Sequence, residues 1–147
     1  MTLVVADTSA IIAAYDSATD WHHRAYSLWN TLTMVVSPLV LDEVDHLLIA
    51  RFGRDRVIAN LVFDDIIEKV TDRVILIPAV DRDDLGMARD VIARYRDLRL
   101  DLTDAVSVVL AARYGIVDIL TLDERHFRTA APLTPGKTAF RLPIQDA

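Results

Sequence analysis

Leu3-Val4-Val5-Ala6-Asp7-Thr8-Ser9 is the stretch whose reading decides the fold. Its four leading residues are apolar, with two β-branched valines among them, and suit a strand buried on both faces. An acid follows at once, then two hydroxyl residues. Ala10-Ile11-Ile12-Ala13-Ala14-Tyr15 then reads as helix, with Thr8 or Ser9 as the expected N-cap. Asp7 thus stands at the carboxyl end of a buried strand, just ahead of a helix N-terminus. In open α/β sheets ligands bind along that edge. Taken alone, Asp7 is equally an acid in a capped turn. The question is whether other acids reach the same edge.

Downstream, Asp20 is placed to cap a helix from Trp21 to about Leu32, and Met34-Val35-Val36 forms a short strand. Ser37-Pro38 opens a helix that ends near Phe52-Gly53, and a further helix runs from about Asp55 to Val70. Val74-Ile75-Leu76-Ile77 reads as a buried strand ended by Pro78, and Asp81 to about Asp97 as helix. Thr103 to Tyr114 is apolar nearly all round, so it reads as a buried helix. Asp118-Ile119-Leu120-Thr121 is the next strand. The stretch from Thr129 to Lys137 is loop, and Ala139 to Leu142 suits an edge strand. This alternation predicts an α/β fold: a small parallel sheet of about four to five strands, flanked by helices on both faces. The length predicts a single domain over residues 1–147.

Composition narrows the chemistry. With 22 acids against 16 bases the net charge is −6, so the chain is not a nucleic-acid binder by charge alone. Any such site must be local, or its acids must be masked by cations. Lys69 and Lys137 are the only lysines, and the other bases are arginines, which pair with phosphate and carboxylate alike. Cysteine is absent, which removes thiolate ligands and nucleophiles and fits a reducing, cytoplasmic setting. No basic segment precedes an apolar run at the N-terminus, and no run approaches the ~18 residues of a membrane span. The hydrophobic fraction of 52% is high for a small soluble monomer and suggests an apolar surface covered by another chain.

Further acids do reach the sheet edge. Asp123 follows its strand within two residues. Asp104 opens the buried helix ahead of that strand, where the helix dipole tolerates an anion. Asp101 stands just before it, as a cap or as an extra carboxylate at the rim. At ~100° per residue, Leu39, Val40, Val44, Leu47 and Leu48 form one apolar arc of their helix, and Glu43 lies inside that arc. A carboxylate there is costly unless it is paired or binds a metal. Asp7, Glu43, Asp104 and Asp123 are therefore candidate ligands and catalytic groups. Oxygen donors without soft ones favour Mg²⁺ or Mn²⁺. Such an ion polarises a phosphodiester and activates water. His126, near Asp123, belongs either to the site or, more commonly for a histidine, to the surface.

At this point the chain resembles PIN-domain ribonucleases, specifically the VapC-type toxins of bacterial toxin–antitoxin pairs. The resemblance rests on Val5-Ala6-Asp7-Thr8-Ser9-Ala10, on Leu41-Asp42-Glu43-Val44, on Asp104-Ala105, and on Leu120-Thr121-Leu122-Asp123 followed by His126-Phe127. Their order covers nearly the whole chain. The resemblance implies a PIN fold and Mg²⁺- or Mn²⁺-dependent endoribonuclease activity that leaves a 3′-hydroxyl and a 5′-phosphate. It implies an acidic quartet of Asp7, Glu43, Asp104 and Asp123. Ser9 and Thr121 would be supporting hydroxyls, and Asp101 a rim acid present in only some relatives. It also implies a homodimer and a small antitoxin that clasps the helices around residues 38 to 70. Arg99, Arg125 and Arg128 are candidate RNA contacts, with ordinary solvated charge as the alternative.

Two other readings are weighed. A phosphatase or receiver-like domain would place a second acid two residues after Asp7 or an acidic pair ahead of it, where Ser9 and Val5-Ala6 stand. A catalytically silent PIN module that only binds RNA or a partner would have little reason to bear the cost of Glu43.

Overall fold

The amino-terminal apolar run forms β1 (Leu3–Ala6), an interior strand of a four-stranded sheet in the computed structural model, which describes residues 3–146. Its companions are β2 (Thr33–Val35), β3 (Ile75–Leu76) and β4 (Ile119–Leu120). The order is β3-β2-β1-β4, and every pair is parallel. Alternate residues face opposite ways, as a strand requires. Val4, Ala6, Met34, Ile75 and Leu120 belong to one buried cluster, and Val5, Val35 and Ile119 to the other. The sheet thus separates two apolar layers, each covered by helices.

The first layer is closed by α1 (Thr8–Tyr15), α2 (His22–Trp29), α3 (Pro38–Phe52) and α4 (Val57–Thr71). The second is closed by α5 (Arg82–Arg94), α6 (Leu102–Arg113) and α7 (Glu124–Thr129). Proline at the first position of α3 follows Ser37, whose Oγ accepts the Leu39 amide at 3.1 Å, a regular cap. Helix α6 is buried along Asp104–Ala111, as its all-round apolar sequence predicts. Among the described residues no helix is long and apolar enough to cross a membrane.

Several boundaries differ from the sequence reading, each for a local reason. The expected helix from Asp81 breaks at Tyr95, and a 3₁₀ turn (Arg96–Leu98) leads to Arg99 in the left-handed region at φ 57°. The expected edge strand at Ala139 to Leu142 contributes a single parallel bridge, Asp118 to Arg141. The Arg141 guanidinium forks onto the Asp118 carboxylate at 2.7 and 3.0 Å, the Leu142 amide donates to Asp146 Oδ2 at 3.0 Å, and Pro143, which has no amide hydrogen, comes next. The ladder therefore stops after Arg141, where the backbone amides are diverted or lacking. Helix α7 was not anticipated. It is six residues long, too short to show a period, and is pinned by the fully buried Phe127 against Phe140, their rings edge to face at 6.1 Å.

Candidate active site

The strand order carries a switch point. The first three strands are laid down in one direction across the sheet, and β4 returns to the far side of β1. Ligand crevices in open α/β sheets form at the carboxyl ends of strands where the order reverses. Here those ends belong to β1 and β4, and the Asp7 amide donates to the Leu120 carbonyl at 2.8 Å across them. Asp7 and Asp123 leave these two strand ends side by side.

A pocket of about 300 Å³ opens at this edge, lined among others by Asp7, Ser9, Glu43, Asp101, Asp104, Asp123 and His126. All four acids of the expected quartet and the rim acid thus line one cavity. Asp7 and Asp104 are buried, at 5% and 9% exposure, while Glu43 and Asp123 are half-buried. Glu43 arrives from α3. The core face of that helix is Val40, Val44 and Leu48, whereas Leu47 is 37% exposed and lines the pocket. The apolar arc drawn from the sequence is therefore too wide. Its Glu43–Leu47 side faces the cavity instead of the core.

Hydroxyl groups hold the two strand ends in register. Thr121 is fully buried, and its Oγ1 donates to Asp7 Oδ2 at 2.8 Å while accepting the Asp123 amide at 2.9 Å. Ser9 Oγ lies 3.3 Å from the same Asp7 oxygen and accepts the Leu122 amide at 2.8 Å. This also corrects the capping expectation. Helix α1 begins at Thr8 with Asp7 as its N-cap residue, and no side chain caps it, because Asp7 and Ser9 are engaged across the sheet edge. Asp101 caps α6 by accepting the Asp104 amide at 2.9 Å, and it lines the pocket as well. Both of its anticipated roles have a geometric basis.

The sequence reading gave His126 too little. Asp123 caps α7 by accepting the His126 amide at 3.1 Å, which turns the imidazole back toward the strand ends. Nδ1 lies 2.7 Å from Asp123 Oδ2 and 3.1 Å from Asp104 Oδ2. It is buried without hydrogen-bond alignment to either carboxylate. The available signal was the Asp-x-x-His spacing, which puts the fourth residue beside its own cap.

Electrostatics show a site short of positive charge. Burial pushes the Asp7 carboxyl up to about 6 against the hydrogen bonds from Thr121, Thr8 and Ser9, and Glu43 adds repulsion. Burial also pushes Asp104 up to about 8, helped by the charges of Asp7, Asp101 and Asp123. The donors of this site suit a divalent cation. Asp104, Asp123 and His126 each offer an atom within 4.8 Å of the others, with Asp7 and Glu43 on the same cavity. Carboxylates raised by burial and further by each other's charge, and an imidazole nitrogen aimed at them without a hydrogen bond, are what a bound cation would reconcile.

The three arginines proposed as RNA contacts are not among the pocket-lining residues. Arg128 is tied to Asp146 at 2.6 Å and Glu124 at 3.4 Å, and Arg125 and Arg99 are exposed.

Thr121→Val is expected to slow RNA cleavage by about 10- to 100-fold, the usual cost of removing a group that orients a ligand. It removes the link between Asp7 and Asp123 and one bond that lowers the Asp7 pKa, so the acid limb of the rate–pH profile moves up. Thr121→Ser keeps the hydroxyl and restores rate and profile. An unchanged profile in Thr121→Val would show that the link is not used.

Residues 4–132 match the profile of a family described as PIN domain. The chain is 31% identical to Ribonuclease VapC26 of Mycobacterium tuberculosis (strain ATCC 25618 / H37Rv) over 136 residues, 91% of this chain and 96% of that protein. Among solved structures it is similar to Mycobacterium tuberculosis VapC20, described as a Sarcin-Ricin loop cleaving toxin. That match has a TM-score of 0.69 and 22% identity, covering 82% of this chain and 90% of the other. At that identity the likeness is one of fold.

Proposed function

This chain belongs to the PIN-domain family, and on that premise we propose that it is a divalent-metal-dependent endoribonuclease, the toxin of a toxin–antitoxin pair acting in the cytoplasm. The observation that carries this reading is the delivery of Asp7, Glu43, Asp104 and Asp123 to one cavity at the sheet's switch point, with buried acids pushed up by burial and each other's charge. The curated relative, named a ribonuclease and matched over most of both chains, supports it.

Asp7, Asp104, Asp123 and Glu43 would hold Mg²⁺ or Mn²⁺, with His126 as a further donor. When bound, such an ion supplies the positive charge that activates water toward a phosphodiester and offsets charge on the leaving 3′-oxygen. The protein contributes placement. Thr121 and Ser9 fix Asp7 and the backbone leading to Asp123. Asp101 fixes the first turn of α6 and with it Asp104. Glu43 closes the cavity from α3. No nucleophilic side chain is needed, because water is the attacking group.

Val57, Ile58 and Leu61 stand exposed on α4, within the helices that the resemblance implies form the antitoxin groove and part of the dimer surface. An unpartnered apolar face of this kind supports both assignments.

The test is purified protein, freed of antitoxin, incubated with RNA in Mg²⁺ or Mn²⁺. Sequencing of RNA 5′ ends after brief induction, beside Asp7→Asn, locates the cuts. Discrete 5′-phosphate ends that vanish with chelator and with Asp7→Asn are expected. Identical ends from wild type and Asp7→Asn would sink the reading.

A further inference from the structure

Glu43, Leu47 and Arg51 are spaced four residues apart on α3, and all three line the acidic pocket. The cavity-facing stripe of α3 therefore runs acid, apolar, base. Arg51 is the only arginine or lysine among the lining residues. Its side chain is 47% exposed, and Nη1 donates to Asp16 Oδ2 at 2.9 Å. Among the described residues Nε and Nη2 have no protein acceptor. Asp16, only 14% exposed, sits at the end of α1 and accepts the Ala18 amide through its other oxygen. One edge of the guanidinium is thus fixed to rigid structure, on a side chain that lines the cavity.

Contrast with other arginines sharpens the point. Arg56 forks onto Asp45, Arg141 forks onto Asp118, and Arg128 forks onto Asp146, so both guanidinium ends of each are spent. A single-bond pair with its arginine half-exposed, such as Arg51–Asp16, adds roughly 0–1 kcal/mol of stability, so a purely structural role accounts for little of this arrangement.

We propose that Arg51, positioned by Asp16, grips a backbone phosphate of the RNA that flanks the scissile one. The proposal rests on the nuclease reading above. Two helical turns separate Arg51 from Glu43, about 12 Å along the axis, so Arg51 reaches past the phosphate held at the acids to a neighbour on the strand. A fixed, half-free guanidinium suits a phosphate oxygen pair, and such a contact positions the strand without reading its sequence. It also gives an acidic protein a local cation where a polyanion must enter.

The test uses a short synthetic RNA that the protein cuts, with the cut mapped. Arg51→Ala is expected to raise KM about tenfold, the worth of one charged hydrogen-bonded contact, and to change kcat far less. Asp16→Asn moves KM the same way by a smaller factor, and Arg51→Lys restores part of the loss. Binding is read separately in the non-cutting Asp104→Asn protein. There, adding Arg51→Ala makes the fall of log affinity with log salt shallower by about one. A neutral methylphosphonate at the flanking position reproduces the loss in wild type and adds nothing to Arg51→Ala. A lower melting midpoint with KM and salt slope unchanged would overturn the proposal and leave a helix clamp. A wild type that cuts no RNA would instead refute the nuclease reading, while the salt slope still reports on Arg51.

Discussion

Asp104→Asn lowers RNA cleavage by about 10³-fold or more and, at pH 8 without divalent ions, raises the melting midpoint of the protein. The two effects have one cause. Asp104 is 9% exposed in the first turn of α6, and burial together with Asp7, Asp101 and Asp123 pushes its carboxyl from 3.8 up to about 8. Between those values the folded protein keeps a proton that the unfolded chain has released. Folding then takes up a proton, so stability falls as pH rises through this window. Below about pH 4 both states are protonated and the penalty is absent. Asparagine has the same shape and cannot ionise, so it removes the penalty at pH 8 and changes little at pH 4. The Asp101 cap is unaffected, because it engages the backbone amide of residue 104.

Melting wild type and Asp104→Asn in chelator at both pH values, beside cleavage assays, checks the pair of outcomes. If Asp104→Asn melts below wild type at pH 8, the carboxylate is satisfied within the chain, with His126 Nδ1 at 3.1 Å as its nearest partner. The idea of an acid held at a cost for function would then fail.

The legible and illegible parts of this site divide along physical lines. Asp7 and Asp123 were readable because each follows a short apolar strand at once or within a few residues, and such strands end at a sheet edge whatever the loop does next. Asp104 was readable because it opens a helix that is apolar nearly all round, with first-turn capping as the bland alternative. Glu43 was readable as a misfit on an apolar arc, but that arc wrongly placed Leu47 in the core. Periodicity finds the face of a helix, not the width of the stripe its neighbours cover. Arg51 went unremarked for the same reason, since its place on the stripe becomes visible only once Leu47 is known to face the cavity. His126 depends on a six-residue helix capped by Asp123, which local spacing alone does not establish. The expected strand at Ala139 to Leu142 shrank to one bridge because the Leu142 amide turns to Asp146 and Pro143 has no amide to continue the ladder.

Mn²⁺ is expected to raise the melting midpoint of wild type most strongly at alkaline pH. Without metal, Asp7 at about 6 makes stability fall between about pH 4 and pH 6, and Asp104 at about 8 makes it fall between about pH 4 and pH 8. A cation bound only by the folded state requires these carboxylates ionised, so its affinity climbs over the same range and its binding releases protons. The metal-free curve therefore descends with pH while the metal-loaded curve stays level, and the gap widens. At a metal concentration about 100 times Kd, the gain is about 2.7 kcal/mol. For a domain of this size that corresponds to roughly 5–10 °C. Asp123→Asn, which removes one donor of the Asp104–Asp123–His126 group, closes most of the gap at every pH. Calorimetry in buffers of different ionisation enthalpy reads the released protons directly at pH 7. Overlapping curves with and without Mn²⁺ at pH 8 would mean that the acids are balanced by groups of the chain itself. The raised carboxyls of Asp7 and Asp104 would then be structural strain instead of the imprint of an ion.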